Sequence, residues 1–233
     1  MSGKKARNYT HLYDKSMYTS MWTAYPVYQF DGDSQKRPKW SENGKIDPQY
    51  QIDINNNSYP DGYDRGHLIP NGSRNKNKEM QKQTFYFTNS VPQKGSNFNQ
   101  SIWNDLENGI RGLVKTQKDT VYVVTGVAFQ KNGESKDITT FKCGGKQCPV
   151  PNYFYKVVLK VKRDNAGEIT SASTAGIWME HKDYSDNDYT KYAVSVDQIE
   201  EWTGFDFFAN LPESLQTTAE QNTSWSIFAK DSQ

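Results

Sequence analysis

Long apolar runs are missing from this chain of 233 residues, and so are internal repeats and low-complexity tracts. No segment could cross a bilayer as a helix, because such a helix needs about 20 consecutive apolar residues. The N-terminal stretch "MSGKKARNYT" also lacks the hydrophobic region of a signal peptide. A leader removed beforehand would leave the same N-terminus, so this absence does not establish a cytosolic location.

Cysteine is scarce as well. The two cysteines, Cys143 and Cys148, lie in "KCGGKQCPVP", with no histidine nearby to complete a tetrahedral zinc site. The glycines between them allow a tight turn, so we expect a local disulfide, with two thiols as the alternative. Glycine-rich nucleotide-binding motifs are missing too, because "GGKQC" lacks the spacing of a P-loop or a dinucleotide fingerprint.

Net charge of one sign is also lacking, since 28 Lys and Arg face 27 Asp and Glu. The charges are nevertheless unevenly placed. Residues 63–115 hold eight basic and four acidic side chains, whereas residues 180–233 hold three and eleven. One basic segment in an acidic remainder suits contact with a polyanion at a single place. Ordinary scatter of surface charge is the simpler explanation on these numbers alone.

The pattern of apolar and turn residues predicts one α+β domain with a mostly antiparallel central sheet flanked by helices. Strand formers are concentrated at residues 25–30, 84–91, 121–129, 152–163 and 169–179. The last two segments are joined by "DNAG", which predicts a hairpin turn. Apolar residues at helical spacing predict helices over 97–116 and 195–204, with Ser195 capping the second helix and Gly204 ending it.

The stretch "DGYDRGHLIPNGSR" at 61–74 concentrates chemically useful side chains. Arg65 and His67 stand two apart and share a face in an extended strand, and Gly66 leaves room for a ligand to approach. Imidazole accepts a proton near neutral pH, and guanidinium binds phosphate oxygens in a bidentate manner. The pair outlines a phosphodiester-cleaving site. A hydrogen-bonded core histidine is the alternative, and Asp64 would orient backbone or pair with a cation.

Two polar residues of the predicted helix 97–116 suggest a metal site. Asn99 falls on the same arc as the apolar Ile102 and Leu106, and Glu107 lies about 80° away at the edge of that stripe. An asparagine on a buried stripe is costly unless it is bonded. Its carbonyl oxygen suits Mg²⁺, which keeps several waters and needs few protein ligands. Capping of the helix start is the alternative explanation for Asn99.

Five stretches together resemble the DNA/RNA non-specific endonucleases, a family to which endonuclease G is related. In chain order they are "DRGHLIP", "TFYFTNSVPQKGSNFNQSIWNDLE", "VYVVTG", "VPNYFYKVV" and "VDQIEEWTGFDFF". The resemblance runs from about residue 7 to about residue 211 of a single domain that we assign to residues 1–233. It implies a ββα-metal active site that hydrolyses DNA and RNA to 5′-phosphate products with Mg²⁺, a site that Mn²⁺ or Ca²⁺ could also occupy.

The resemblance also implies roles for the residues that match the family's motifs. His67 would be the general base that activates water, and Arg65 would bind phosphate. Asn99 would be the direct protein ligand of Mg²⁺. Glu107 would hold the hydration shell of that ion. With these polar positions intact, a nuclease is favoured over a nucleic-acid-binding module that has lost turnover.

Two further assignments from the resemblance concern supporting residues. Asn89, in "FTNS", would make a hydrogen bond that supports the site. Arg37, in "KRPKW", would stabilise the negative charge that develops during cleavage, with Lys36 or Lys39 as alternatives.

The resemblance leaves more than one class of substrate and of partner open. DNA and RNA are the expected substrates, and a phosphodiesterase acting on small phosphate esters is the alternative. A homodimer and a protein inhibitor are compatible partners. We expect a secreted or periplasmic protein whose leader is absent from this sequence, with a cytoplasmic location as the alternative. Secreted members of the family often carry two disulfides, whereas this chain could form only one.

Overall fold

The computed structural model describes residues 7–56 and 59–231, so the two ends of the predicted domain lie outside the described residues. The strands are, in chain order, β1 (Thr10–Asp14), β2 (Thr19–Val27), β3 (Tyr63–His67), β4 (Ser90–Lys94), β5 (Val121–Ala128), β6 (Thr140–Cys143), β7 (Lys146–Pro149), β8 (Tyr153–Arg163), β9 (Ile169–Glu180) and β10 (Ala193–Val194). The helices are α1 (Lys78–Thr84), α2 (Ile102–Gly112), α3 (Val196–Thr203), α4 (Glu213–Glu220) and α5 (Trp225–Asp231). Within the described ranges, no helix is long and apolar enough to span a bilayer.

The central sheet has six strands in the order β1-β2-β5-β8-β9-β10, and every neighbouring pair is antiparallel. The α+β class with a mostly antiparallel sheet is therefore confirmed. The hairpin predicted at "DNAG" joins β8 to β9, where the Asp164 carboxylate accepts hydrogen bonds from the backbone of Ala166 and Glu168. Gly167 closes this turn with φ near +91°, a conformation that glycine adopts without strain.

The two faces of the sheet bury different partners, because side chains alternate along each strand. Val123, Phe154 and Ile177 pack on one face with Ile102, Leu106 and Ile110 of α2. Val124, Tyr155 and Trp178 pack on the opposite face with Val196 and Ile199 of α3. The helix that carries Glu107 and the helix that carries the late acidic residues therefore lie on opposite sides of the sheet.

The strand predicted at 84–91 is wrong. Helix α1 reaches Thr84, residues 87–89 form a 3₁₀ turn, and the strand is β4, beginning at Ser90. The aromatic residues that suggested a strand, Phe85 and Phe87, are buried from this helix end and turn instead. Tertiary burial has overridden their local preference for a strand.

The helix predicted at 97–116 is shorter than expected. Residues 95–99 form a π-helical turn, and α2 begins only at Ile102, after Ser101 leaves the helical region with φ −123° and ψ −109°. Asn99 therefore lies in the turn before α2 and not on its apolar stripe. The helix predicted at 195–204 is confirmed, since the Ser195 hydroxyl caps α3 and Gly204 ends it with φ near +72°.

The expected disulfide is not formed. Cys143 and Cys148 are both thiols, and both are buried. They lie on the hairpin of β6 and β7, where Cys143 faces Lys146 and Cys148 faces Phe141. The two cysteines are thus diagonal neighbours on one face. Diagonal positions lie roughly 7–8 Å apart, farther than the Cβ separation of about 3.5–4.5 Å that a disulfide requires.

Substitution of Gly126 tests the packing of the central sheet. A Cβ atom at Gly126 on β5 would collide with the ring of Tyr155, which stacks on Trp178. We expect Gly126→Ala to lower the free energy of unfolding in urea by about 1–3 kcal/mol through overpacking. The matched control is Gly112→Ala, which adds the same methyl group where nothing lies within 4 Å. Equal stabilities of the two variants would contradict this packing.

Candidate active site

The pairing of β3 with β4 sets the position of the DRGH residues. His67 lies opposite Ser90, and Gly66 lies opposite Val91. A side chain at Gly66 would collide with the side chain of Gln93, so this glycine allows close packing of β3 on β4. Gly66 therefore makes room for the packing of Gln93 and not, as its position in the sequence predicted, for the approach of a ligand. Arg65 and His67 alternate with Gly66 and point away from Gln93.

His67 is held between two aromatic rings. Its ring centroid lies 4.6 Å from that of Trp40 and 4.9 Å from that of Phe85. One ring nitrogen, Nε2, is buried and has no hydrogen-bond partner in the described part of the chain, while the ring also hydrogen-bonds the backbone of Arg65. Because the ring donates its one N–H to that backbone, Nε2 is the acceptor nitrogen of a neutral imidazole.

The surroundings of His67 favour its neutral form. Burial lowers the pKa of His67 to about 3, the charge of Arg37 adds to this effect, and the hydrogen bond to the Arg65 backbone opposes it. Arg37 reaches the site because its guanidinium lies 5.3 Å from the ring of Phe85, which His67 also contacts. The structure thus brings together His67 and Arg37, which are 30 residues apart in the sequence.

Arg65 is half-exposed beside β6. Its charge is close enough to act on both Asp53 and Cys143. It precedes His67 on the same side of β3, as the spacing predicted.

Asn99 is oriented by Asp64, the first residue of the DRGH motif. The amide nitrogen of Asn99 donates to Asp64 Oδ2 at 2.8 Å, and the side chain of Gln100 donates to the same oxygen at 2.8 Å. No described residue hydrogen-bonds the carbonyl oxygen of Asn99, Oδ1. Asp64 therefore holds the amide so that its oxygen remains available to a ligand.

Glu107 is placed between two basic side chains on the α2 side of the sheet. Its carboxylate lies 3.9 Å from Lys156 Nζ and 3.9 Å from Arg111 Nη1. Burial raises the pKa of Glu107, and the charges of Lys156 and Arg111 oppose that rise. Burial also lowers the pKa of Lys156 to about 8, with Glu107 opposing. Lys156 is fixed by a 2.7 Å bond to Thr125 Oγ1.

Sequence reasoning missed these two partners of Glu107, although the sequence holds a signal for each. Arg111 stands four residues after Glu107, the spacing at which side chains meet on a helix. Lys156 interrupts the apolar run "NYFYKVVLKV", where a buried lysine requires a partner. Trp40 gave no such signal, because only the tertiary fold brings it to His67.

Asn89 supports the site from inside the core. It is fully buried, and its amide donates to the carbonyls of Ile69 and Thr84 while its oxygen accepts from the backbone of Ile69. Every one of these bonds goes to backbone, so Asn89 fixes the segment after His67. It is a positioning residue in this structure and makes no contact that would reach a substrate.

His181 fixes the start of the turn that carries Asn99. Its Nε2 accepts a 2.7 Å hydrogen bond from the backbone of Lys94, and its Nδ1 lies 2.8 Å from the carbonyl of Pro151. Its ring also contacts Phe98 and Phe154. Isolated in sequence before an acidic stretch, this histidine offered no sign of its contacts.

Residues 2–214 match the family of DNA/RNA non-specific endonucleases. The chain belongs to this family. A nuclease from Nostoc sp. is 30% identical over 217 residues, which are 91% of this chain and 75% of the relative. The mitochondrial endonuclease G of Caenorhabditis elegans is 31% identical over 172 residues, 72% of this chain and 54% of that protein.

A solved structure shows the same fold. A chain from the crystal structure of the EndoG/EndoGI complex superposes with a TM-score of 0.75 at 24% identity, covering 91% of this chain and 87% of that one. The family membership and the named nucleases together make this chain a hydrolytic endonuclease, and metal dependence is the norm in its family.

The ionisation of His67 can be measured by NMR titration of its imidazole. We expect a pKa near 3, and we expect Arg37→Ala to raise it, because that variant removes a neighbouring positive charge. The unfolded chain would take up this proton below about pH 6.5, so the contribution of His67 to stability falls as the pH decreases from about 6.5 towards 3.

The matched control for that titration is Lys36→Ala, which removes an exposed charge from the residue next to Arg37. This variant should leave the pKa of His67 unchanged. A wild-type pKa of about 6.5 would mean that the ring is hydrated and would contradict the described surroundings.

Proposed function

We propose that this endonuclease hydrolyses DNA and RNA without sequence preference, with Mg²⁺ as cofactor and His67 as general base. The observation that carries the proposal is the buried Nε2 of His67. Buried polar atoms in proteins are almost always hydrogen-bonded, and a catalytic role is one physical reason for an exception. The bond to the Arg65 backbone orients the ring so that this nitrogen is the one free to accept a proton.

The residues around Asn99 fit a hydrated Mg²⁺. Oδ1 of Asn99 is a hard oxygen ligand, and Asp64 fixes the other end of the amide. Glu107 would hold water molecules of the ion, since Mg²⁺ keeps much of its hydration shell in proteins. When bound, Mg²⁺ offsets negative charge on the scissile phosphate and on the leaving oxygen.

His67 would take the proton of the attacking water at Nε2. The low pKa keeps the ring neutral before substrate binds. A bound phosphodiester brings negative charge close to the ring and raises its pKa towards the working pH, where a general base acts best. Trp40 and Phe85 hold the ring plane so that the nitrogen stays aimed at one position.

Arg37 and Arg65 would bind the phosphate. Guanidinium groups bind two phosphate oxygens at once, and contacts of this kind position the backbone without reading bases. Activity on both DNA and RNA follows if the 2′-hydroxyl is not contacted. Attack on phosphorus with departure of the 3′-oxygen leaves 5′-phosphate products.

The assembly and location of this chain stay predictions. The EndoG/EndoGI complex concerns the inhibition of a protein of the same fold, which supports testing this chain for a protein inhibitor. A homodimer, and a secreted or periplasmic location, are the further proposals that follow from the resemblance.

Removal of the imidazole tests the general base. We expect His67→Ala to reduce cleavage of circular plasmid by about 10²–10⁴-fold, because proton transfer from water is lost, while far-UV circular dichroism stays native. His11→Ala is the matched control, since His11 lies on β1 and has no part in the proposed chemistry. Wild-type cleavage by His67→Ala, free of contaminating nuclease, would rule out this assignment.

Removal of Asp64 tests the orientation of the metal ligand. We expect Asp64→Ala to raise the Mg²⁺ concentration for half-maximal cleavage by about 10–100-fold, because an outer residue that orients a ligand typically has this effect. Asn99→Ala should raise it at least as much. The control is Asp61→Ala, which removes an exposed carboxylate three residues away. Unchanged Mg²⁺ titrations for Asp64→Ala and Asn99→Ala would exclude Asn99 as a ligand.

A further inference from the structure

Three carboxylates from two helices converge on the side of the sheet opposite α2. Asp197 and Glu200 lie one turn apart on α3, and Glu220 is the last residue of α4. One oxygen from each lies within 4.8 Å of the others. We call this group the α3–α4 acidic cluster. Helix α3 packs on the Tyr155 and Trp178 face, so the cluster is separate from Asn99 and Glu107.

Glu220 is the member of the cluster that points to a ligand. Glu220 is only 3% exposed, and Gln216 hydrogen-bonds its carboxyl group, but Oε1 is buried and no described residue hydrogen-bonds that oxygen. Burial raises the pKa of Glu220 to about 8, and the negative charge of Glu200 adds to that effect. A buried oxygen of this kind is costly unless something satisfies it.

No lysine or arginine compensates these charges. Among the described residues, none of the ion pairs involves a member of the cluster. The neighbouring charge of Asp206 is also negative. The helix dipole favours Asp197 in the first turn of α3, but this effect does not extend to Glu220 at the end of α4. The cluster therefore lacks a positive partner from the protein.

Glu200 and the neighbouring Asp206 are already held in place. Glu200 Oε1 accepts a 2.5 Å hydrogen bond from the backbone of Phe207, and Asp206 accepts from Gln216 at 3.0 Å. These bonds fix Glu200 and the loop beside it, and the second oxygen of Glu200 remains. A cation arriving here would meet oxygens that need little rearrangement.

We propose that the α3–α4 acidic cluster binds a Ca²⁺ ion through Asp197, Glu200 and Glu220. Calcium binds several protein carboxylates at about 2.3–2.6 Å in a flexible geometry. One oxygen from each of the three carboxylates lies within 4.8 Å of the others, close enough for one ion to contact all three. Mg²⁺ demands near-ideal octahedral geometry and usually keeps several waters, so it is a poorer match for a site built from three protein carboxylates.

The ion would join the C-terminal helices to the sheet. Residue Ala219, next to Glu220, accepts a 2.6 Å hydrogen bond from Thr174 Oγ1 on β9. A cation bridging Glu220 to α3 would fix α4 at this position from both sides. Because the site lies across the sheet from His67, it acts on stability and not on the chemistry of cleavage. The inference does not depend on the proposed catalytic roles.

The test is thermal unfolding of the full chain, first stripped with EGTA and then given CaCl₂. We expect saturating Ca²⁺, about 100 times Kd, to raise Tm by about 5–10 °C. Glu220→Gln should lose this rise. Without calcium, at a pH above 8 where Glu220 carries its charge, the Tm of this variant should equal or exceed that of the wild type, because the variant removes one of the uncompensated negative charges. A purely structural glutamate would instead lose Tm when substituted.

Two matched variants keep the result specific. Glu213→Gln makes the same charge change on an exposed residue of α4 and should keep the full calcium response. Asn99→Ala should also keep it, which separates this site from the catalytic metal. If Glu220→Gln does not fold, Asp197→Asn, at an exposed position, takes its place and should lose the response. The proposal would be overturned if CaCl₂ does not change the Tm of the wild type. It would also be overturned if Glu220→Gln and Asp197→Asn both keep the rise in Tm with calcium.

Discussion

The register of β3 on β4 is the constraint on which the active site depends. Because side chains alternate along a strand, a slip of one residue would exchange the positions of Gly66 and His67. His67 would then meet Gln93, and Asp64 would no longer reach Asn99. The absence of a side chain at Gly66 permits the close packing that fixes this register. One glycine thus fixes the positions of both His67, the proposed base, and Asp64, which orients Asn99.

Burial changes the ionisation of several polar groups in and near the candidate active site. His67, Glu107 and Lys156 all lie where burial opposes their charged forms. The fold tolerates them because each has a partner: the Arg65 backbone for His67, and Lys156 and Glu107 for each other. Such groups change ionisation readily when a phosphate or a metal arrives. Among the described residues, no lysine or arginine forms an ion pair with the α3–α4 acidic cluster, which is why it points to a cation.

Sequence reasoning was most reliable where structure is local. The apolar runs that became β5, β8 and β9, the turn between the last two, and the capped helix α3 all follow from short-range patterns. The strand predicted at 84–91 failed because Phe85 and Phe87 are buried by tertiary packing. Asn99 was predicted to be a metal ligand on the apolar stripe of the helix, but it lies in a turn before α2, which depends on the unusual backbone at Ser101. Trp40 joins the site only through the fold, so residue spacing could not reveal it.

The most direct test of the account is the position of a bound divalent ion. We expect a crystal of the His67→Ala variant grown with Mn²⁺ to show an anomalous peak about 2–2.3 Å from Asn99 Oδ1, with Asp64 still bonded to the amide nitrogen. Water molecules should bridge that peak to Glu107. A manganese peak found only at the α3–α4 acidic cluster, with none beside Asn99, would contradict the proposed active site.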